Sequence, residues 1–367
     1  MSAINRKLTS IVCAHKKGMT LMELIVVIFI GSLLLSMTFL VYTNSSRSML
    51  RQDVIMEQLL NLRSGRASIS RDIRGAGTGY TLLGLGQSGM VQMYIRDNEG
   101  VARWFKYPNA GGDAPPFGVA PIYSMDNDSG PDVFYVASLA PDFTSPLGNL
   151  SDDLTPYVTQ ISLTNVLGIP AGVDPREIVK ANDYLAIVPS GGDPILVEVL
   201  DDPSSLATIK IKPLPDEDFP DGISSSTQGA LVYNVKSVVF HSYKVVDCAV
   251  TANQAVRARV CSSYNDDSSY LVMGSQDSQD DILAEGIEDL QIGVSTAADP
   301  PSTYLNFNGY KSASPIKSVK LVIVSRTTKP DPYANSFARI SALNHEATGS
   351  DHYPRRFLET IVQLRNY

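Results

Sequence analysis

The sequence predicts an α+β fold in which a long N-terminal helix, membrane-spanning in its first half and amphipathic in its second, packs on antiparallel β-sheets. Three observations carry this. Proline is absent from residues 1–107 and all 22 prolines lie from Pro108 onward, so a helix-compatible front precedes a turn-rich body. Leu24 to Tyr42 runs 19 residues without a charge, long enough at about 1.5 Å per residue to cross a bilayer core. Beyond Tyr80 the apolar pattern shifts to period two, in short runs separated by Gly, Pro, Asp and Ser with no regular helix between them. That pattern points to antiparallel sheets and away from a doubly wound fold.

Charge sets the topology of the front. Arg6, Lys7, Lys16 and Lys17 precede the apolar run with no acid among them, so the positive-inside rule keeps the N-terminus cytoplasmic and exports the body. The whole chain has 30 basic and 38 acidic residues, net −8, and the residues after Gly18 therefore net −8 minus 4, or −12. Such a balance argues against a binder of nucleic-acid phosphates, which needs a basic stripe. At 367 residues, 44% hydrophobic, the chain can bury a core, which sets aside collagen-like, low-complexity and wholly disordered classes.

A cleaved secretory signal would need a small-residue site after the apolar run, and no Ala occurs between Ala14 and Ala67. A plain anchor leaves Glu23 unexplained, since an acid at a helix centre costs roughly 2.5 to 3.5 kcal/mol on an insertion scale. No Lys or Arg lies between Met19 and Tyr42, so a terminal amine is the cation expected to meet that carboxylate.

Lys16-Lys17-Gly18, followed by Met19-Thr20-Leu21-Met22-Glu23-Leu24 and the apolar stretch, resembles the class III signal of type IV prepilins and pseudopilins. The resemblance implies a pilin-like fold with a leader at 1–18, cut by prepilin peptidase between Gly18 and Met19 beside Lys17. It further implies N-methylation of Met19, retention of 19–43 as the transmembrane half of the helix, and an assembly segment at Glu23 with Thr20 and Leu24. Glu23 becomes the fifth mature residue, where family members carry the acid that meets a terminal amine during subunit assembly. Met19 stands where Phe is usual, and an 18-residue leader is long.

Residues 44–79 are expected to continue the helix as its amphipathic half and to end in a glycine turn. Ile55, Leu59, Leu62, Ile69 and Ile73 form one stripe at helical spacing, opposite Arg47, Arg51, Asp53, Glu57, Arg63 and Arg71. Gly65 reads as a weak point costing about 1 kcal/mol relative to Ala, and Gly75, Gly77 and Gly79 as the stop. Residues 80–367 form the β-rich body outside the membrane. A hairpin is expected from Met90–Arg96 and Val101–Tyr107 across Asp97-Asn98-Glu99-Gly100. Further strands are expected at Val133–Ser138, Tyr184–Val188, Ile195–Leu200, Ala207–Lys212, Leu231–Val246, Leu290–Val294, Val319–Arg326 and Phe357–Leu364. In the long one, Val232, Asn234, Lys236, Val238, Phe240, Ser242 and Lys244 would face water, and Leu231, Tyr233, Val235, Val239 and Tyr243 the core.

Gly65-Arg66-Ala67 with Arg71-Asp72-Ile73-Arg74-Gly75-Ala76-Gly77, Asn182 to Ile187, Ala284 to Gln291 and Arg355 to Asn366 resemble the PilW branch of minor pilins, in order. Residues 108–180 and 247–267 resemble nothing in that branch.

With Cys13 in the leader, Cys248 and Cys261 remain, and an even pair in an oxidising compartment reads as a disulfide, contributing about 3 kcal/mol by chain entropy. Two buried thiols are the alternative. Asp126, Asp128 and Asp132 alternate around Gly130 in a turn that could wrap calcium, though a solvated acidic turn has the same composition. No other cofactor is expected. Catalytic residues are not expected either: His241, His345 and His352 belong to no metal, nucleophile-elbow or phosphate-loop motif, with His241 placed in or beside a sheet and the others in loops.

The expected function is that of a minor pilin in the initiation and assembly of a type IV pilus, at its tip complex. The expected partners are other minor and major pilins, prepilin peptidase, the inner-membrane assembly platform and membrane lipid. The alternatives are a ligand-binding tip adhesin and a J-type pseudopilin of type II secretion, the latter disfavoured by body length.

Overall fold

The computed structural model describes residues 20–80, 83, 91–96, 102–104, 120–125, 130–141, 145–166, 173–191, 193–215, 227–248, 260–261, 268–275, 281–296, 304–306, 316–328, 330, 336–343, 345 and 349–364. In chain order the elements are α1 (Leu21–Gly75), β1 (Tyr94–Arg96), β2 (Ala102–Trp104), β3 (Ile122–Met125), β4 (Val133–Pro141), β5 (Gly148–Leu150), β6 (Gln160–Thr164), α2 (Pro175–Ile178), β7 (Tyr184–Val188), β8 (Ile195–Glu198) and β9 (Thr208–Lys210). They continue with β10 (Leu231–Asp247), β11 (Ser269–Ser275), β12 (Asp281–Glu285), β13 (Ile287–Ser295), β14 (Leu305–Asn306), β15 (Ser318–Arg326), β16 (Phe337–Ala338), β17 (Ser350–Asp351) and β18 (Arg355–Gln363). This is the α+β arrangement the sequence predicts, and among the described residues every pair of named strands is antiparallel.

Contacts divide the chain into two compact units, Met1–Met56 and Glu57–Tyr367. In the first, the described residues are helical from Leu21, and large apolar side chains face outward, Phe29 at 65% and Phe39 at 68% exposure. Such a surface is unstable in water and at home in hydrocarbon, and the length and composition of α1 suffice to cross a membrane.

In the second unit, α1 buries Leu62, Ile69 and Ile73 from the expected stripe, together with Gln58 and Gly65. The helix stops at Gly75, and Gly77 and Gly79 take positive φ of 74° and 85° that other side chains adopt only with strain. Gly65 is not the weak point its propensity indicates. A Cβ there would lie 2.7 Å from Leu271 Cδ2, so the missing side chain lets the helix close on β11.

A sheet of ten strands is organised on β10, which pairs with β5 and β7 near its start and with β4 and β11 further along. A second sheet runs β14-β13-β15-β18. The expected hairpin is the β1–β2 pair, with Tyr94 opposite Trp104 and Arg96 opposite Ala102; its turn lies outside the described residues.

Two-face alternation fails on β10. Val232 and Asn234 are fully buried and Phe240 is buried, whereas Val239, expected inside, is 39% exposed. The register shifts between Val235 and Ser237 against β4, which flips the faces, and the strand is covered on both sides. Val232 joins a core of β5 to β9, Val235 and Phe240 pack with Tyr80, Met93 and Leu196, and Tyr243 packs in the core beneath α1.

Candidate functional site

The assembly segment begins with a reciprocal cap. Thr20 precedes the first helical residue, and its backbone N and Oγ1 both donate to Glu23 Oε2, at 2.9 and 3.1 Å. Glu23 N in turn donates to Thr20 Oγ1 at 3.3 Å. This is the Ser/Thr-x-x-Glu capping box, and Thr20-Leu21-Met22-Glu23 is the signal in the sequence that could have found it. Glu23 thus has hydrogen-bond partners in its own chain, on Thr20. Leu24 is 45% exposed beside it. Lys17, Gly18 and Met19 lie outside the described residues.

A second group of residues fixes α1 to the sheets within the Glu57–Tyr367 unit. Gln58 Nε2 donates to the Ser325 carbonyl at 2.9 Å, Asn61 Nδ2 to Glu285 O at 3.1 Å, and Ser64 Oγ to Leu283 O at 3.3 Å. One turn before the helix ends, Asp72 Oδ2 accepts from Tyr243 OH at 2.5 Å and lies 2.5 Å from His241 Nδ1. Burial pulls the Asp72 carboxyl upward, but the hydrogen bonds from His241 and Tyr243 outweigh it and hold the group below its ordinary value. Burial first, and then Asp72, push the Tyr243 phenol up. His241 is on β10, as expected, and it and Tyr243 tie the end of the helix to that strand.

Two further joints are not legible from sequence. Arg355 has a side chain only 1% exposed, and it grips Glu288 through Nε and Nη2 at 2.6 and 2.9 Å. It grips Asp351 through Nη1 and Nη2 at 2.6 and 2.5 Å, and Nη1 also reaches Tyr353 O at 3.0 Å. All five guanidinium donors are used. Hydrogen bonding to Arg355 holds the Asp351 carboxyl down at about 2. His345 Nδ1 lies 2.6 Å from Asp289 Oδ2, while Gln291 Nε2 bridges Asp289 Oδ1 and Gly130 O at 3.0 and 2.9 Å.

Cys248 and Cys261 are joined, with Cα atoms 5.7 Å apart, between β10 and β11. Of the calcium candidates, Asp126 and Asp128 lie outside the described residues. Asp132 is 1% exposed and accepts from Ile292 N at 2.8 Å, which ties the start of β4 to β13. Among the described residues no three His, Cys, Asp or Glu side chains cluster as metal ligands.

Residues 13–39 match the family model described as a prokaryotic N-terminal methylation motif, and residues 243–366, about a third of the chain, match Type IV Pilus-assembly protein W. The second match runs across 247–267, which corrects the expectation that this segment is foreign to the PilW branch. The stretches Gly65 to Gly77 and Asn182 to Ile187 lie outside both matches. No curated protein and no solved structure matches the chain. The two matches support a type IV pilin-like minor pilin of the PilW kind, a structural class and not an enzymatic one. The N-terminal motif with its apolar helix fits an inner-membrane anchor carrying a periplasmic body.

Proposed function

We propose that this chain is cleaved after Gly18, methylated at Met19 and incorporated into the initiating complex at the tip of a type IV pilus. The observation that carries the proposal is the capped, outward-facing apolar helix that leads from the methylation motif into a buried, sheet-bound half. In this reading the apolar half leaves lipid for a bundle of pilin helices, with other minor and major pilins as neighbours and the inner-membrane platform as the place of transfer. Glu23 supplies the directional contact: its carboxylate orders the first turn through Thr20, and a neighbouring subunit's terminal amine adds an ion pair in low dielectric.

The test is pull-down of partner minor pilins at equal membrane abundance. Glu23→Gln is expected to keep leader cleavage and insertion while recruiting several-fold less partner, and mass spectrometry of the wild type is expected to start at methylated Met19. Equal recovery and normal pilus number with Glu23→Gln would remove the assembly role.

A further inference from the structure

The strand β18 is an edge of its sheet: it pairs with β15 from Arg355 to Gln363 without a register shift. Beyond the two ends of that ladder, Leu364 N donates to Lys317 O and Thr327 N to Pro354 O. Hydrogen-bonded pairs alternate along an antiparallel ladder, so the even-numbered residues of β18 turn their backbone groups to β15. Phe357, Glu359 and Ile361 therefore turn their N–H and C=O groups outward. Their side chains share a face with Val324, Val322 and Lys320, the residues opposite them. Val322 and Val324 are buried with Ala342 and Ile340, whereas Phe357 is 58% and Ile361 50% exposed.

Other edges are closed. The carbonyls of Glu285 and Leu283 on β12 accept from Asn61 and Ser64, and the β9 line is bridged to the β8 line through Val199 and Ile211. Over its nine residues β18 has no Lys, no Pro and no bulge, the devices that blunt an edge against strand addition. Charge says which strand fits. Lys320 Nζ lies 3.0 Å from Glu359 Oε1, and Oε2 of this 46% exposed side chain has no partner among the described residues. Two copies of β18 laid antiparallel about Glu359 would set Phe357 against Ile361 but carboxylate against carboxylate, which is destabilising. A strand of another protein with a base at that place satisfies all three positions. We propose that β18 takes up an extended segment of a different protein, in which a Lys or Arg faces Glu359 and apolar residues two places to either side cover Phe357 and Ile361. Main-chain bonds at the three outward residues hold the segment, and the side chains select it. The proposal draws on neither Glu23 nor the assembly reading.

The experiment titrates the full chain in phosphatidylcholine vesicles with two fluorescent, end-capped peptides, Thr-Val-Thr-Lys-Thr-Val-Thr and the same sequence with Glu for Lys, read by anisotropy. The Lys peptide is expected to bind at least about five-fold more tightly, and Glu359→Lys to invert the order. Ile361→Pro removes an outward donor and no hydrogen bond to β15, so it is expected to abolish binding with unchanged thermal unfolding. Where it lowers the unfolding midpoint, the inversion with Glu359→Lys decides. Binding of the Lys peptide that survives both variants would be general attraction to an acidic protein and would overturn the proposal. Equal binding of the two peptides, or none, would do so too. Cross-linking of β18 to β18 between copies, lost in Ile361→Pro and unaffected by either peptide, would give the edge to a self-pair and overturn it as well.

Discussion

The helix-bearing side of the body and the lobe built from β5 to β9 are both antiparallel, and both bury aliphatic cores, yet they are held differently. Beneath α1 the core gathers Leu62, Ile69 and Ile73 with Leu271, Leu290, Leu321 and Val362, residues far apart in sequence. Around it stand the directional contacts of Asp72 with His241 and Tyr243, of Arg355 with Glu288 and Asp351, and of Gln58 with Ser325. The lobe gathers Leu163, Leu185, Ile187, Val197, Ile209 and Val232, and neighbouring ladders set its register. Of its two ion pairs among the described residues, Lys212–Glu198 is largely buried at 19% and 16% exposure, and Lys210–Asp201 is open to water at 63% and 59%. A helix laid across sheets has no ladder to fix its position, so polar contacts do that work. The PilW match falls on the joined side.

Substitutions can break this contrast or sharpen it. The largest expected loss is Arg355→Ala, about 4 kcal/mol, because it strands two carboxylates facing one another. Lys210→Ala in the lobe should cost under about 0.5 kcal/mol. Urea unfolding measures both, and equal losses would erase the distinction.

Next is Gly286→Ala, at about 3 kcal/mol. Gly286 has φ of 72°, a Cβ there would lie 2.6 Å from the Arg326 carbonyl oxygen, and it is the sole residue between β12 in one sheet and β13 in the other. Gly229, with φ of 79° and nothing within 4 Å of a built Cβ, pays only for its backbone angle, and Gly229→Ala should cost about 1 kcal/mol.

Acid should act on the joined side through Asp351. Its folded pKa of about 2 is below the unfolded value near 3.9, so its contribution is complete above about pH 4 and is lost as pH falls through 2. The expected loss is about 2 kcal/mol between pH 4 and 2, and Asp351→Asn should flatten that part of the stability profile. Gly65→Ala is the smallest effect. An open helix site would gain about 1 kcal/mol from the change, whereas contact with Leu271 should turn it into a loss of about 1 kcal/mol. A gain would mean the helix and β11 have room to spare.

Much of this is legible in sequence because it repeats. The period of Leu62, Ile69 and Ile73 names the buried helix face, the 19 uncharged residues name the span, and paired cysteines name the bridge. Strands of three residues such as β5 and β9 carry too few side chains for alternation to register. The faces of β10 escape the alternation rule because one register shift reverses them and because cores lie on both sides. The Arg355 joint has no period at all: Glu288 is 67 residues away and Asp351 four. Asp72 sits among the residues that resemble the PilW branch, but nothing in the spacing points to partners 169 and 171 residues on.

The row of contacts from Gln58 to Asp72 also has a mechanical consequence. Gln58, Asn61 and Ser64, and two turns further on Asp72, reach sideways from the helix to β15, β12 and β10. A tug along the helix axis therefore strains these rungs together, with the side chains of Leu62, Ile69 and Ile73 ploughing against the sheets at the same moment. A tug that lifts the helix end would open them one after another. The joint is stiff along one direction and peels along the other, so a subunit hauled by its helix resists as a whole.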